Sequence, residues 1–199
     1  MSAAWILTCF LVGSIPFALV LGRVFVGVDI RTYGDGNPGA ANLWRAAGWP
    51  LGLLAFFLDF LKGALPVGLA QFVGGLHGWP LALAGLAPIL GHAYSPFLRF
   101  RGGKALAVTL GVWTGLTLFA MPLVAGLSAL IFYLTVTPEG WAVTFALVCM
   151  LAYLVSSGSD PVLLAVWLGS VPVLLERHRR DLRQRPRWRP RRTAEVPPS

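Results

Sequence analysis

Residues 105–138, ALAVTLGVWTGLTLFAMPLVAGLSALIFYLTVTP, form a run of 34 positions without Asp, Glu, Lys or Arg. A single helix of this length would extend about 50 Å at roughly 1.5 Å per residue. Because the hydrocarbon core of a membrane is only about 30 Å thick, two shorter helices are the more economical interpretation. The residues 115–117 (GLT) offer a break between them. This stretch therefore predicts two consecutive membrane spans.

The composition of the whole chain is that of a polytopic membrane protein. Of its 199 residues, 56% are hydrophobic and only 12% are charged, against about 25% charged in soluble domains. The mean hydropathy is +0.71. These values exclude a simple cytosolic enzyme, a disordered chain and a nucleic-acid-binding domain. Cys9 and Cys149 lie in apolar runs, so neither a disulfide framework nor a zinc site is predicted.

Mostly apolar runs predict an all-α domain of about seven transmembrane helices over residues 1–176. Besides the pair in residues 105–138, the spans cover residues 1–22, 48–73, 79–94, 141–155 and 161–176. The first run has no basic n-region and no clear cleavage site, which favours a span over a signal peptide. Because several runs are short, five or six spans remain alternatives.

Apart from Lys62 inside the second span, positive charges before the tail occur only in the connections after spans one and three. These residues are Arg23, Arg31, Arg45, Arg99, Arg101 and Lys104. By the positive-inside rule, the odd-numbered connections face the cytoplasm, which places the N-terminus outside and the C-terminus inside.

Residues 177–199 form a basic cytoplasmic tail with nine arginines, two acidic residues and a net charge of +7. A nucleic-acid-binding role is an alternative. We expect instead that the tail anchors the last span and contacts anionic lipid head groups. Its final residues, 193–199, are predicted to be disordered.

Two polar loops carry the candidate chemistry. Residues 34–45 (GDGNPGAANLWR) hold three glycines and two asparagines before Arg45. Glycines let backbone N–H groups approach an anion, and a guanidinium can hold a phosphate through two hydrogen bonds. The alternative is a flexible turn with one snorkelling arginine.

The second loop, residues 91–104 (GHAYSPFLRFRGGK), ends in Gly102-Gly103-Lys104 at the start of the next helix. A lysine at a helix N-terminus is well placed to bind phosphate, although the spacing is not that of a Walker A loop. The alternative is that basic residues simply mark the end of a membrane span. This alternative would explain Arg99 and Arg101 but not Gly102 and Gly103.

Other polar residues have less specific spacing. Asp59 and Lys62 lie on one helix face inside the second span, where they form either a structural ion pair or a functional polar site. His178 and Asp181 are one helical turn apart, and on spacing alone they belong to a solvated face. For His92 a core histidine with a satisfied partner is the alternative to a functional role.

Together these motifs resemble the bacterial acyl-phosphate:glycerol-3-phosphate acyltransferase family. They occur in the family's order through the first half of the chain, as residues 13–17 (GSIPF), 34–45, 59–63 (DFLKG), 91–97 and 100–104 (FRGGK), with a weaker match at Arg177-His178. The resemblance implies seven spans, an outside N-terminus, cytoplasmic motif loops and a place in the bacterial cell (inner) membrane.

The resemblance also implies an activity in phospholipid synthesis. A fatty acyl group passes from acyl phosphate to the first hydroxyl of glycerol 3-phosphate, which gives lysophosphatidic acid, without acyl-CoA, metal or cofactor. The H-x-x-x-x-D pair of other glycerolipid acyltransferases is absent here, because Phe97 stands five residues after His92.

For this activity we predict that Arg45 and Lys104 bring two anionic substrates together. They would also stabilise charge that develops on the attacked carbonyl and the leaving phosphate. His178 is added as a catalytic residue because it matches the family's tail histidine. The predicted substrate-binding residues are Asp35, Gly36, Asn37, Gly39, Asn42, His92, Gly102, Gly103 and Asp181, with the glycine backbones as anion donors. No residue is an obvious general base, and the resemblance assigns the proton to the substrate's own phosphate.

Several positions depart from the family's pattern. The family commonly has Ser, Thr, Gly and Asn where this chain has Asp35, Ala41, Ala105 and Asp181, and its R-Y-x-S segment is not recognisable in residues 136–139 (VTPE). Acids such as Asp35, Glu139 and Asp181 weaken anion binding unless they are protonated or bound to a cation. Two alternatives therefore stay open. One is a non-catalytic paralogue that binds anionic lipid or a lipid-synthesis partner, and the other is a small transporter built around Asp59 and Lys62.

Overall fold

The structure is a computed structural model that describes residues 1–189, so the predicted disorder of residues 193–199 lies outside the described residues. Ten α-helices, two short 3-10 turns (Ile30–Thr32 and Pro96–Leu98) and one pair of two-residue strands are found in this part of the chain. The helices are α1 (Ser2–Ser14), α2 (Phe17–Val26), α3 (Ala40–Ala47), α4 (Trp49–Phe72), α5 (Gly78–Ala93), α6 (Leu106–Thr117), α7 (Ala120–Thr135), α8 (Glu139–Ser156), α9 (Pro161–Arg177) and α10 (Arg179–Leu182). The antiparallel strands are β1 (Val136–Thr137) and β2 (Arg187–Trp188).

The predicted helical membrane domain is confirmed. Four helical segments are long and apolar enough to cross a membrane, namely Ser2–Val26, Trp49–Phe72, Gly78–Leu98 and Glu139–Ser156. Two shorter helices, α6 and α7, are also apolar. Many large apolar side chains on these helices are exposed, for example Phe57, Leu69 and Leu127, as expected of surfaces that face lipid. The count of seven spans stays a prediction.

The first predicted span is broken at its centre, between α1 and α2. Pro16 has no N–H and its ring excludes the preceding residue from helical geometry, and Ile15 is accordingly extended (φ −62°, ψ 122°). The carbonyl groups at the break accept hydrogen bonds from other elements. Ser95 Oγ donates to Ser14 O and Lys62 Nζ to Ile15 O, both at 2.6 Å. The break thus fastens the first two helices to α4 and to the loop after α5.

The same lysine forms a buried ion pair with Asp59, and the two groups lie 2.6 Å apart. Both side chains are almost fully buried. A buried pair is tolerated only when further hydrogen bonds satisfy its charges, and the Ile15 carbonyl supplies one. These contacts favour the structural ion pair over the transporter site.

The 34-residue uncharged stretch divides into α6 and α7, as predicted. The break falls at Leu118, one residue after the predicted segment, where φ is 56°. The Thr117 hydroxyl donates to Trp113 O (2.7 Å) and accepts from Met121 N–H (3.2 Å). The Thr117 side chain therefore hydrogen-bonds to polar backbone groups on both sides of the break. Inside a membrane no water is available to satisfy such groups.

Glycines allow close packing of α4 against α6. A Cβ on Gly63 would collide with the carbonyl oxygen of Val108, and a Cβ on Gly111 with that of Phe60. Gly91 likewise allows α5 to pack closely against α1, because a Cβ there would collide with a carbonyl oxygen of α1. Small residues let helix backbones approach in lipid, where dispersion contacts rather than hydrophobic burial drive association.

Four segments meet at one end of the bundle: residues 27–39, 94–105, 136–138 and 178–189. The last of these belongs to the predicted tail, yet it packs on the helices, because α10 contacts α8 and β2 pairs with β1. The boundary at residue 177 stays a prediction. Residues 178–188 are nevertheless part of the folded body and help to form the site described below.

Substitution of Gly111 by Ala should destabilise the protein. Its new Cβ meets a helix backbone that cannot move away, and overpacking costs about 1–3 kcal/mol. For a chain of this length we expect a fall in Tm of about 3–10 °C, measured by thermal unfolding in detergent. The matched control is Gly126→Ala in α7, where the nearest atom to a Cβ is 4.0 Å away. An unchanged Tm for Gly111→Ala would contradict the packing account.

Candidate active site

A cleft of about 510 Å³ opens at the end of the bundle where the four segments meet. Seven of the predicted site residues line it: Asp35, Gly36, Asn37, Gly102, Lys104, His178 and Asp181. It is also lined by five arginines that the sequence analysis did not assign to the site, Arg31, Arg101, Arg177, Arg179 and Arg180. The sequence held a signal for four of them, since Arg101 belongs to the FRGGK segment and Arg177, Arg179 and Arg180 to the basic run 177–180, whereas Arg31 is an isolated basic residue. Cationic side chains from three separate segments therefore converge on one cleft.

The Lys104 ammonium lies between two carboxylates. Its Nζ is 3.0 Å from Asp35 Oδ2 and 3.6 Å from Asp181 Oδ2. The lysine precedes α6, whereas the two acids come from the first polar loop and from α10, so these ion pairs join three distant parts of the chain. Among residues 1–189, no group of three or more His, Cys, Asp or Glu side chains is placed to hold a metal ion.

The buried side chain of Asn42 holds the first polar loop in place through hydrogen bonds. Its Nδ2 donates to Asp35 Oδ1 (3.1 Å) and to Asn37 O (2.9 Å). The Asn37 N–H also donates to Asp35 Oδ1, at 3.1 Å. The carboxylate of Asp35 is thus held in place, with its second oxygen directed at Lys104.

Arg45 lies at the same end of the bundle but behind the loop. Its Nη1 donates to Asn42 Oδ1 at 2.7 Å, and in the described structure its side chain is not among those that line the cleft. Arg45 and Lys104 are connected through Asn42 and Asp35 rather than through shared open space. The geometry gives Arg45 a clear part in supporting the loop, and its catalytic role stays a prediction.

The glycine pair has a structural role in its turn. The N–H groups of Gly102 and Gly103 donate to the carbonyls of Ala93 and His92, both at 3.1 Å, and are therefore engaged rather than available to an anion. The Gly36 N–H likewise donates to Tyr33 O, at 3.1 Å. Glycine is needed at 102 and 103 because a Cβ would collide with the His92 carbonyl or with its ring. The amides of these three glycines thus have backbone partners in this structure, and their binding of an anion stays a prediction.

His92, predicted to bind substrate, lies behind the cleft wall. It is buried, it is in contact with Gly103, and its Nδ1 is 4.0 Å from Asp59 Oδ1. Arg177 holds the other side of the same loop, since its guanidinium donates to the carbonyls of Gly102 and Gly103. These two side chains position the turn that carries Lys104.

His178 faces the cleft with one ring nitrogen unoccupied. The ring is almost fully buried, and its Nδ1 lies 2.8 Å from Leu174 O. Burial lowers the pKa of His178, although the Leu174 carbonyl opposes this, and the positive charge of Lys104 lowers it further. In the neutral ring the proton is on Nδ1, because it faces a carbonyl, and Nε2 is then an acceptor. Within the described residues Nε2 is buried and has no hydrogen-bond partner, which leaves it an unsatisfied acceptor in the wall of the cleft.

The charges of Asp35 and Lys104 stabilise each other. Burial favours the neutral form of Asp35, but the hydrogen bonds from Lys104 and Asn37 outweigh it and hold the pKa of the carboxyl below its usual value. Burial also opposes the charge on Lys104, whereas Asp35 and then Asp181 and Glu139 raise the pKa of the ammonium. Both groups are therefore charged at neutral pH.

An apolar cavity of about 400 Å³ lies beside the cleft, between α4, α6, α7, α8 and α9. Its lining includes Leu106, Leu130, Met150 and Leu174. The walls of the two spaces are neighbours: Leu174 of the cavity accepts the hydrogen bond of His178 of the cleft, and Gly140, which follows the cavity residue Glu139, lies against α10.

The fold and the site together define a class of protein: a helical membrane protein with a cationic cleft at one end and an apolar cavity next to it. The chain matches the family model described as glycerol-3-phosphate acyltransferase over residues 3–185, and it belongs to that family. It is accordingly a multi-pass protein of the bacterial cell (inner) membrane.

Individual relatives agree with this membership. A glycerol-3-phosphate acyltransferase of Roseiflexus sp. is 41% identical over 186 residues, which cover 91% of this chain and 90% of that protein. Glycerol-3-phosphate acyltransferase 1 of Thermotoga maritima is 44% identical over 117 residues, 58% of this chain and 57% of that protein, so the chain spans only a little over half the length of that relative. The crystal structure of PlsY, an integral membrane glycerol 3-phosphate acyltransferase, in its glycerol 3-phosphate form, superimposes with a TM-score of 0.81 and 35% identity. That match covers 92% of this chain and 90% of PlsY.

Substitution of Asp35 by Asn should lower stability in a pH-dependent way. Because the folded pKa of Asp35 is lowered, its contribution is present above the unfolded value of about 3.9 and is lost as the pH falls through the folded value. The side chain is 43% exposed, so screening limits the effect to about 1 kcal/mol, or roughly 2–4 °C in Tm. Thermal unfolding from pH 7 to pH 3 measures it. A difference from the unsubstituted protein that grows on acidification, or that is insensitive to 1 M salt, would contradict the ion pair.

Proposed function

We propose that this protein transfers a fatty acyl group from acyl phosphate to the first hydroxyl of glycerol 3-phosphate, with lysophosphatidic acid and inorganic phosphate as products. The observation that carries the proposal is that the cationic cleft and the apolar cavity have neighbouring walls, which are in contact at His178 and Leu174. Both proposed substrates are anions and one is a lipid, so the two spaces match them in charge and polarity. The names of the relatives support the choice of acceptor.

The apolar cavity accommodates the tail of the donor. Its walls are side chains of five helices, including Leu174 near the end of α9, and a tail that lies there directs the acyl phosphate head to Lys104. A tail that enters from the bilayer stays in apolar surroundings, so the cavity mainly positions the donor and leaves its charged head for the chemistry.

The acceptor occupies the cleft among the arginines. Its phosphate is a dianionic group that guanidinium side chains bind through paired hydrogen bonds, and Arg101 and Arg180 make no ion pair with any described residue. The hydroxyl is then directed to Nε2 of His178, the buried acceptor without a partner. The positive charge of the arginines reduces the repulsion between the two anionic substrates. The hydrogen bond to His178 holds the nucleophilic hydroxyl near the acyl carbon.

The chemical step forms one carbon–oxygen bond and breaks another. The acceptor hydroxyl oxygen attacks the acyl carbonyl carbon, the bond from that carbon to the phosphate oxygen breaks, and the hydroxyl proton ends on the departing phosphate. Lys104 stabilises the negative charge that develops on the carbonyl and on the leaving group. Asp35 and Asp181 keep the ammonium protonated and fix its position between the substrates.

The proposal includes a topology of seven crossings, with the N-terminus outside and the C-terminus in the cytoplasm. It is supported by the alternation of the helix ends, since α2, α5, α7 and α9 end, and α4, α6 and α8 begin, at the end of the bundle that carries the cleft. The basic residues concentrate at that same end, as the positive-inside rule expects of a cytoplasmic face.

Purified protein given palmitoyl phosphate and glycerol 3-phosphate should release inorganic phosphate and form lysophosphatidic acid. Lys104→Met should lower kcat/KM by about 100-fold or more, the usual effect of removing one group that stabilises an oxyanion. Arg185→Gln is the control, because it removes one positive charge from an exposed position outside the cleft, and it should stay within about twofold. No release above a protein-free control, or full activity of Lys104→Met, would contradict the proposal.

A further inference from the structure

A second cationic cavity, of about 620 Å³, lies next to the cleft. We call it the arginine pocket; it is lined by Arg23, Arg31, Arg99, Arg101, Leu19, Phe97 and Leu98. Arg31 and Arg101 also line the cleft, whereas Arg23 and Arg99 belong to the arginine pocket alone. The proposed acyl transfer gives these last two residues no role.

The arginine pocket has an excess of positive charge. Asp29 is the one carboxylate that pairs with its arginines in the described part of the chain, at 3.1 Å from Arg23 and 2.5 Å from Arg31. The side chains of Arg99 and Arg101 make no hydrogen bond or ion pair with residues 1–189. Four guanidinium groups around one space repel one another, and an anion between them would relieve that repulsion.

The backbone that carries Arg99 is held in an unusual conformation. Arg99 and Phe100 both have positive φ, at 51° and 62°, in a region that non-glycine residues seldom occupy. Three backbone hydrogen bonds maintain the turn, donated by the N–H groups of residues 99, 100 and 101 to carbonyls of residues 95–98. Such strain persists where the surrounding structure enforces it, and it is common at ligand sites.

The other lining residues and their neighbours are apolar. Leu19 and Leu98 form part of the wall, and Phe97 is 60% exposed. On α2, Val20 and Val24 lie one turn apart beside Arg23 and are both exposed, as expected of side chains in contact with lipid. A ligand that satisfies the whole arginine pocket has a phosphate head and an apolar body, which describes a phospholipid better than a soluble anion.

We propose that the arginine pocket binds the phosphate head group of an anionic membrane phospholipid, at a site that adjoins the acyl-transfer cleft and differs from it by Arg23 and Arg99. Guanidinium groups bind phosphate oxygens in pairs, and the apolar wall then contacts the first part of the acyl chains. Because Arg23 and Arg99 are outside the cleft, the site can be changed without touching residues that line the cleft.

Native mass spectrometry of the full chain in neutral detergent tests the proposal, with phosphatidylglycerol and phosphatidylcholine of identical acyl chains as probes. We expect half-saturation by phosphatidylglycerol at a concentration about tenfold lower than by phosphatidylcholine, and loss of this preference in R23Q/R99Q. The single variant R99Q should lose most of it. Because Arg99 has no side-chain partner among the described residues, that variant keeps the test valid if the Arg23–Asp29 pair is needed for folding.

The control is R183Q/R185Q, which removes two exposed arginines from the segment after α10 and should retain the lipid preference within about twofold. An equal loss in this control would overturn the proposal in favour of a diffuse charge effect. An unchanged preference in both R99Q and R23Q/R99Q would also overturn it. Displacement of bound phosphatidylglycerol by millimolar inorganic phosphate would show a site for soluble phosphate rather than for lipid.

Discussion

The arrangement of the site depends on the Lys104 ammonium and its two carboxylates. Asp35 comes from the first polar loop and Asp181 from α10, so one cation fastens three segments that are far apart in sequence. Without it, two acids would face each other at the edge of a space that must hold anions, and like charges at such distances repel strongly. The ion pairs therefore shape the cleft and also set its electrostatic potential.

A second constraint acts on the turn before Lys104, and it comes from the part of the bundle below the cleft. The helix break at Pro16 presents the Ile15 carbonyl to Lys62, and Lys62 pairs with Asp59. His92 lies between this buried pair and the glycine turn before Lys104. Lys62, Asp59 and His92 thus form a row of polar groups from the middle of the bundle to the cleft. Polar partners are needed there because an unsatisfied carbonyl in lipid costs several kcal/mol. The conformation of the turn is fixed from below by these contacts and from the side by Arg177.

Sequence alone predicted the helices well and the site only in part. Apolar runs and turn residues located the helices within a few positions, because hydrophobic length is a direct consequence of membrane thickness. The break at Pro16 was missed, since an uninterrupted apolar run obscured it. The glycine and lysine loops were identified by composition, but composition does not say where an N–H points. As a result the amides of Gly102 and Gly103 were expected to bind anions, whereas they bond to the backbone of α5. Arg101 and Arg180 line the cleft because of how the loops fold, and His178 was found only by resemblance.

The acids at positions 35 and 181 give the most direct test of the account. Isothermal titration of glycerol 3-phosphate into the purified protein, without donor, measures whether the cleft is an anion site governed by Lys104. The account predicts that Lys104→Met weakens binding by about tenfold or more and that Asp181→Asn tightens it, because the amide keeps the shape of the side chain but removes a negative charge 3.6 Å from the ammonium. Equal affinity in the unsubstituted protein and Lys104→Met, with both folded by thermal unfolding, would contradict it.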